Sequence, residues 1–154
     1  MTRRHLRRIG LPILALTLVA ALAPAAALAG PPIVPPDVII GTTDPDTLYG
    51  KARADIIFGL AGDDKLYGGR GADRIFGGPG DDGIRGGDGP DTIRGGLGED
   101  RMAGGTGNDL ILAAGDGAID RIFCGEGRQD LVIVDPDDVV ANDCEFVWVR
   151  DPEV

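Results

Sequence analysis

The feature that most constrains this sequence is an uninterrupted nine-residue repeat. From Gly41 to Leu112 the chain reads as eight consecutive nonapeptides, from GTTDPDTLY to GGTGNDLIL. The first residue of every nonapeptide is glycine, the sixth is aspartate and the eighth is apolar. One nonapeptide cannot bury its apolar residue alone, so a strict period of this kind indicates a solenoid in which each repeat packs on its neighbours.

Each part of the nonapeptide predicts a local structure. The last three residues flank the apolar eighth position with residues of mixed character, as in Arg74, Ile75 and Phe76. This alternation predicts a very short strand with one side chain pointing inward. The first six residues are predicted to form a turn, because glycine at positions 1, 2 and 4 permits positive φ and leaves carbonyl oxygens uncovered by side chains.

The aspartate at position 6 makes each turn a candidate metal site. Carbonyl and carboxylate oxygens without nitrogen or sulfur ligands favour a hard cation, and a pliable backbone cage suits calcium better than magnesium. The candidate ligands are the aspartate of every repeat and the glycines at positions 1 and 4 of the last five repeats. They are Asp46, Asp55, Asp64, Asp73, Asp82, Asp91, Asp100 and Asp109, with Gly68, Gly71, Gly77, Gly80, Gly86, Gly89, Gly95, Gly98, Gly104 and Gly107.

The N-terminus has the composition of a secretory signal peptide over residues 1–29. Four arginines precede an uncharged apolar run that closes on the small-residue site ending at Ala29. The alternative is a membrane anchor, but Pro24 interrupts the apolar run and a proline-rich segment, residues 30–40, follows it. We therefore predict cleavage after Ala29 and a secreted, extracellular protein.

Composition narrows the possible partners. Residues 30–154 contain 25 acidic and 11 basic residues, a formal net charge of −14. This charge disfavours nucleic acid and anionic membrane surfaces, and no second apolar segment is long enough to span a bilayer. Cations are the natural partners, while a protein or cell-surface partner is not identifiable from the sequence. The same residues contain no histidine and no serine, which removes most nucleophile and general-base arrangements and predicts a protein that is not an enzyme.

The repeat Gly-Gly-x-Gly-x-Asp-x-apolar-x resembles the RTX (repeats-in-toxin) calcium-binding repeat over residues 41–112. The resemblance implies an all-β fold, a parallel β-roll or β-solenoid in which two nonapeptides make one coil and eight make about four coils. It also implies several calcium ions between turns stacked on the same edge. One edge would carry Asp46, Asp64, Asp82 and Asp100, and the other Asp55, Asp73, Asp91 and Asp109. With an N-terminal signal, the chain is more similar to small secreted bacterial calcium-binding repeat proteins than to toxins, so toxin activity is not implied.

The first two repeats depart from the pattern. Position 4 holds Asp44 and Arg53 in place of glycine. We expect Arg53 to be forced into a glycine-type conformation and to bring a positive charge toward the ion, which would leave the Asp55 site weak or empty. The Asp46 site should be intermediate, because aspartate tolerates positive φ better than arginine.

The strict period ends after Leu112, although an Asp-x-apolar pattern recurs at Asp120, Asp130 and Asp138. Residues 113–154 are predicted to form an irregular β cap over the last coil, because an open coil would leave backbone edges exposed. In a secreted chain Cys124 and Cys144 are predicted to form a disulfide; the alternative is two buried free thiols.

These observations predict a secreted, non-catalytic calcium-binding repeat protein that is unfolded where calcium is scarce and folds where calcium is millimolar. A carboxylate pair acting as a glycosidase is disfavoured, because eight aspartates at one period indicate a ligand array. The alternative function is a calcium-dependent accessory or targeting module of an extracellular hydrolase or toxin-like protein. A chain that begins with its own signal peptide and leaves no room for a catalytic domain favours the first function.

Overall fold

The computed structural model describes residues 35–150, and these fold into two parallel β-sheets joined by short turns. The signal-peptide prediction for residues 1–29 and the start of the proline-rich segment concern residues outside this range. Within it, no helix is long and apolar enough to cross a bilayer.

Thirteen short strands make up the two sheets. Their bounds are β1 Val38–Ile40, β2 Thr47–Tyr49, β3 Ile56–Phe58, β4 Lys65–Arg70, β5 Arg74–Pro79, β6 Gly83–Asp88, β7 Thr92–Leu97, β8 Arg101–Thr106, β9 Leu110–Leu112, β10 Arg121–Glu126, β11 Leu131–Val134, β12 Val139–Val140 and β13 Phe146–Val149.

The chain passes alternately between the two sheets. The odd-numbered strands form a seven-stranded sheet in the order β1-β3-β5-β7-β9-β11-β13, and the even-numbered strands form a six-stranded sheet. Every pairing is parallel, and partners in the repeats lie two nonapeptides apart, as when Ile57 pairs with Ile75. Two nonapeptides therefore make one coil, which confirms the all-β parallel β-roll.

The roll is longer than the eight nonapeptides alone would make it. Strands β2 to β9 form the four predicted coils, but β1 precedes them and β10 to β13 follow, which gives about six turns. The predicted count was too low because the segment after Leu112, expected to be an irregular cap, continues both sheets in register. Ile122 in this segment pairs with Met102, and Val132 pairs with Ile111.

The core is a narrow stack of the apolar residues at position 8. Leu66, Ile75, Ile93 and Ile111 are 0% exposed, and burying each contributes about 1.5–3 kcal/mol. The inward orientation predicted from the alternation is thus confirmed. The stack continues beyond the repeats with Ile122, Cys124, Val132 and Val134.

The strands are longer than the three residues predicted. Strands β4 to β8 each have six residues and extend through positions 1, 2 and 3 of the next repeat, so the predicted six-residue turn is too long. Gly69 pairs with Gly87 in this extension, and a Cβ on Gly87 would collide with the Gly69 carbonyl. Glycine at these positions lets successive coils approach closely enough to pair.

Leu60 carries backbone strain in the third repeat. It occupies position 2 with φ of 86°, where the same position on the next coil is Gly78 with φ of 123°. A left-handed conformation costs a non-glycine residue about 1–2 kcal/mol, and glycine costs about 0.5–1 kcal/mol in backbone entropy. Because Leu60 is 44% exposed, little packing would be lost, and we expect Leu60→Gly to stabilise the calcium-loaded chain by up to about 1 kcal/mol in urea unfolding.

Leu97→Gly is the matched control for Leu60→Gly. Leu97 is 58% exposed and lies at the end of β7 without positive φ. Leu97→Gly should therefore not raise the free energy of unfolding. Equal stabilisation by both substitutions would contradict the strain assigned to Leu60.

The predicted disulfide between Cys124 and Cys144 is present. The bond spans a sequence separation of 20 residues and ties β10 to the segment just before β13. Closing a loop of this length stabilises a fold by about 3 kcal/mol on the chain-entropy estimate. Reduction should therefore loosen the C-terminal coils first, with faster amide hydrogen exchange over residues 121–149 than over β4 to β8. A uniform increase along the roll would contradict this localisation.

Candidate metal centre

Two rows of acidic residues line the edges of the roll, where the chain turns from one sheet to the other. In each row the backbone N–H of one aspartate donates to Oδ1 of the aspartate in the next coil, with N to O distances of 2.7–2.9 Å. The first edge contains Asp46, Asp64, Asp82, Asp100, Asp120 and Asp138, and the second contains Asp55, Asp73, Asp91, Asp109 and Asp130. Each of the eight repeat aspartates lies on the edge that was predicted for it from the sequence.

The second oxygen of most of these carboxylates has no hydrogen-bond partner. From the third repeat onward every repeat aspartate is at most 2% exposed. An unpartnered buried oxygen is costly, particularly when it carries charge. The atoms concerned are Oδ2 of Asp64, Asp73, Asp82, Asp91, Asp100, Asp109 and Asp130, together with Oδ1 of Asp55.

Backbone carbonyl oxygens lie next to these free carboxylate oxygens. A Cβ on Gly68 would lie 2.5 Å from Asp73 Oδ2 and 2.5 Å from the carbonyl oxygen of Gly86 in the next coil. At Gly68, Gly77, Gly86 and Gly104 the missing side chain thus leaves a carboxylate and a carbonyl oxygen together. Such an all-oxygen donor set with unused charge fits calcium, which prefers six to eight oxygen ligands in flexible geometry.

Burial and repulsion raise the pKa of the edge aspartates from Asp73 onward in the metal-free roll. Burial is the main cause, and the carboxylates of the neighbouring coils add to it. The pKa rises to about 7 for Asp91, Asp100 and Asp120 and to about 6 for Asp82 and Asp109. The stacked carboxylates therefore resist ionisation unless a cation lies beside them.

The turns of the first two repeats have a different local structure. From the fourth repeat to the eighth, glycines at positions 2 and 4 have positive φ, but Arg53 and Asp44 do not. The expected glycine-type conformation of Arg53 is thus wrong. Instead the turn closes on itself, because the N–H of Lys51 donates to Oδ2 of Asp55 at 2.7 Å. The corresponding N–H of Thr42 donates to Oδ2 of Asp46 at 2.6 Å.

Three aspartates outside the repeats, Asp120, Asp130 and Asp138, continue the edges, although none of them was among the predicted ligands. Asp120 and Asp130 are 1% and 0% exposed. Each accepts the backbone N–H of a repeat aspartate, Asp100 and Asp109 respectively. The Asp-x-apolar pattern at both positions was the signal that could have identified them.

The first edge also carries exposed acidic residues beside the buried row. The N–H of Asp81 donates to Oδ1 of Asp63 at 3.0 Å, and the N–H of Glu99 donates to Oδ1 of Asp81 at 2.9 Å. The second edge has Ala72, Pro90 and Asn108 at the corresponding positions. The first edge is therefore the more acidic.

Comparison with known families agrees with this geometry. The model of the RTX calcium-binding nonapeptide repeat matches in four copies, over residues 36–52, 49–84 and 76–111. The chain belongs to the RTX calcium-binding repeat family. Its RTX repeats support calcium as the bound ion. A search of curated proteins found no match to the chain.

The raised pKa values of the RTX aspartates predict opposite pH dependences with and without calcium. Without metal, the protonated carboxyls of Asp91 and Asp100 remain compatible with the fold up to about pH 7, whereas an unfolded aspartate ionises at about pH 4. This contribution to stability is present below about pH 4 and is lost as the pH rises to about 7. We expect more β-structure in chelator at pH 4.5 than at pH 7.5, by circular dichroism.

With calcium present the direction reverses. Calcium needs ionised carboxylates, so protons compete with it and binding releases them. The calcium midpoint should rise as the pH falls from 7.5 to 5.5. A midpoint that stays constant over this range would contradict the assignment of the buried aspartates as ligands.

Proposed function

We propose that this chain is a secreted, non-catalytic calcium-binding protein whose roll folds when several calcium ions bind between stacked turns. The observation that carries the proposal is the row of buried aspartates, each with one oxygen used by the backbone of the neighbouring coil and one oxygen free. A free buried carboxylate oxygen beside a carbonyl is a calcium ligand that lacks only its ion. Secretion into a calcium-rich medium would supply that ion.

The non-catalytic part of the proposal rests on the chemistry of the same side chains. The periodic aspartates, from Asp55 to Asp130, are buried and hydrogen-bonded along the edges, where a substrate cannot reach them. Histidine and serine are absent from residues 30–154. The RTX repeat is itself a structural calcium-binding unit.

Equilibrium dialysis of the chain from residue 30 onward against labelled calcium tests the proposal. We expect several ions per chain at millimolar calcium and little displacement by an equal concentration of magnesium, which demands stricter octahedral geometry. Absence of calcium binding, or equal competition by magnesium, would refute the proposed function. Calcium-dependent turnover in a panel of hydrolase substrates would refute its non-catalytic part.

A further inference from the structure

A turn outside the RTX repeats reproduces their stacking. Residues 124–130, here called the disulfide turn, read CGEGRQD and are one residue longer than the GGxGxD turn of a regular repeat. They lie beyond the residues matched by the family model, which end at 111. Gly125 nevertheless has a positive φ of 97° and pairs with Gly105 in the preceding coil. We propose that the disulfide turn and residues 104–109 form a further calcium site, an inference that rests on the proposed function.

Two carboxylate–carbonyl pairs lie between these two turns, one at Gly104 and one at Gly127. Oδ2 of Asp109 and the carbonyl oxygen of Cys124 both lie where a Cβ on Gly104 would be. The Asp130 carboxylate and the carbonyl oxygen of Gly107 meet in the same way at Gly127. Two carboxylates and two carbonyls supply the kind of donor set found at the regular turns.

The two carboxylates of this site are held in place and incompletely paired. The N–H of Asp109 donates to Oδ1 of Asp130 at 2.7 Å, which fixes the carboxylate between the coils. Oδ2 of both residues is buried without a hydrogen-bond partner, and Asp130 is 0% exposed. Burial raises the pKa of Asp130, and Glu145 and Asp143 nearby raise it further. A divalent cation would relieve both the burial and the repulsion.

The disulfide fixes the backbone that supplies one of the carbonyls. In a regular repeat, the N–H of Gly59 donates to the carbonyl of Phe76 in the next coil at 2.8 Å. At the disulfide turn the Asp143 carboxylate takes this role, accepting from the N–H groups of Cys124 at 3.3 Å and Gly125 at 3.0 Å. The bond from Cys124 to Cys144 holds Asp143 in place. Strand β12 pairs only with Arg121 and Ile122 of β10, so the disulfide-linked segment takes the place of the strand residues that would otherwise continue β12.

Cys124, Asp143 and Cys144 are not themselves the proposed site. Their potential ligand atoms lie within 4.8 Å of one another, but the two sulfurs are bonded to each other and cannot serve as thiolates. The proposed ion uses the carbonyl of Cys124 and not its sulfur. Reduction should consequently weaken this one site without affecting the sites in the repeats.

Native mass spectrometry of the calcium-loaded chain counts the ions directly. Asp130→Asn should bind one ion fewer than the wild type. Asp137→Asn is the matched control, because Asp137 is an exposed acid of the same tail, and it should keep the full count. The double variant Cys124→Ser with Cys144→Ser should lower the calcium affinity of the same single site at least about tenfold. Adding Asp130→Asn to this double variant should abolish binding at that site and leave the ions in the repeats unchanged.

The outcomes separate this inference from the proposed function. A wild-type chain that binds no calcium would refute the proposed function. A wild-type chain that binds calcium, with an equal count in Asp130→Asn, would overturn the disulfide-turn site alone. A loss of one ion in both Asp130→Asn and Asp137→Asn would also overturn it, because the effect would then follow net charge and not the buried oxygen.

Discussion

Chelating calcium at pH 7.5 is expected to unfold the chain. At this pH the stacked aspartates would ionise, because even the pKa values raised by burial reach only about 7. The metal-free roll would then hold rows of buried like charges with unpartnered oxygens, each penalised by burial and by its neighbours. The core that opposes this cost contains only one buried apolar side chain per strand within the repeats.

The stabilisation supplied by calcium is large enough to determine whether the chain is folded or unfolded. One ion at 100 times its Kd stabilises the folded state by about 2.7 kcal/mol, while an ordinary domain has a total stability of about 5–15 kcal/mol. A few such ions therefore equal the whole stability of a typical domain. Removing all of them should leave the chain unfolded and not merely less stable.

The unfolding should be visible in two independent measurements. Circular dichroism should lose its β signal in chelator, and the radius of gyration from X-ray scattering should rise to about 36 Å, against about 14 Å for a compact chain of ~125 residues. Added calcium should reverse both changes. Excess magnesium without calcium should not. A chain that keeps its spectrum and its dimensions in chelator would contradict the folding role of the ion.

The second large effect is expected from Asp82→Asn. Asp82 accepts the N–H of Asp64 and donates its own N–H to Asp100, so it takes part in two stacked pairs on the first edge. Asparagine keeps an oxygen for the hydrogen bond but removes the charge from the oxygen left for the ion. A charge-assisted contact contributes about 1.5–3 kcal/mol. The calcium midpoint for folding should therefore rise at least about tenfold, with reduced cooperativity.

Asp55→Asn should change the midpoint less than about twofold. The Asp55 carboxylate closes its own turn, because Oδ2 accepts the N–H of Lys51 while Oδ1 is buried without a partner. That turn also carries the positive charge of Arg53, and the small effect is expected from this charge, which opposes a bound cation. Asp81→Asn, which removes an exposed charge beside Asp82, is the control for net charge and should also change little. Equal shifts for Asp82→Asn and Asp55→Asn would show that the ranking of the sites is wrong.

Much of the fold was predictable because the period acts on every repeat alike. A residue with one neighbour above and one below has the same environment in each coil, so position 8 had to face the core and position 6 had to lie on an edge. Ile75 and Asp73 follow this rule, and both are buried as predicted. The assignment of alternate repeats to opposite edges follows from two repeats per coil.

The length of the roll was not predictable from the strict period. Between Asp100 and Asp120 the spacing is 20 residues, and between Asp109 and Asp130 it is 21, instead of 18. The extra residues are accommodated in the turns without disturbing the strand register. The nine-residue period therefore ends at Leu112, although β10 to β13 continue to stack on the preceding coils.

The hydrogen bonds made by the individual carboxylate oxygens in the turns were also not predictable from the sequence. The pattern identifies Asp73 as a ligand candidate, but not that its Oδ1 serves the backbone of Asp55 while its Oδ2 stays free. Nor does it show that the turn holding Arg53 avoids positive φ by closing on its own aspartate. Both features depend on contacts between coils or on local rearrangement, which a one-dimensional period does not contain.

The most direct test of the central claim is the anomalous difference map of crystals grown in calcium. We predict peaks on both edges of the roll, between turns two repeats apart, including the pairs Asp64 with Asp82 and Asp73 with Asp91. Each peak should lie within about 2.3–2.6 Å of carboxylate and carbonyl oxygens. A folded roll with no anomalous peak beside these aspartates would contradict the claim that calcium bound between the stacked turns holds the structure together.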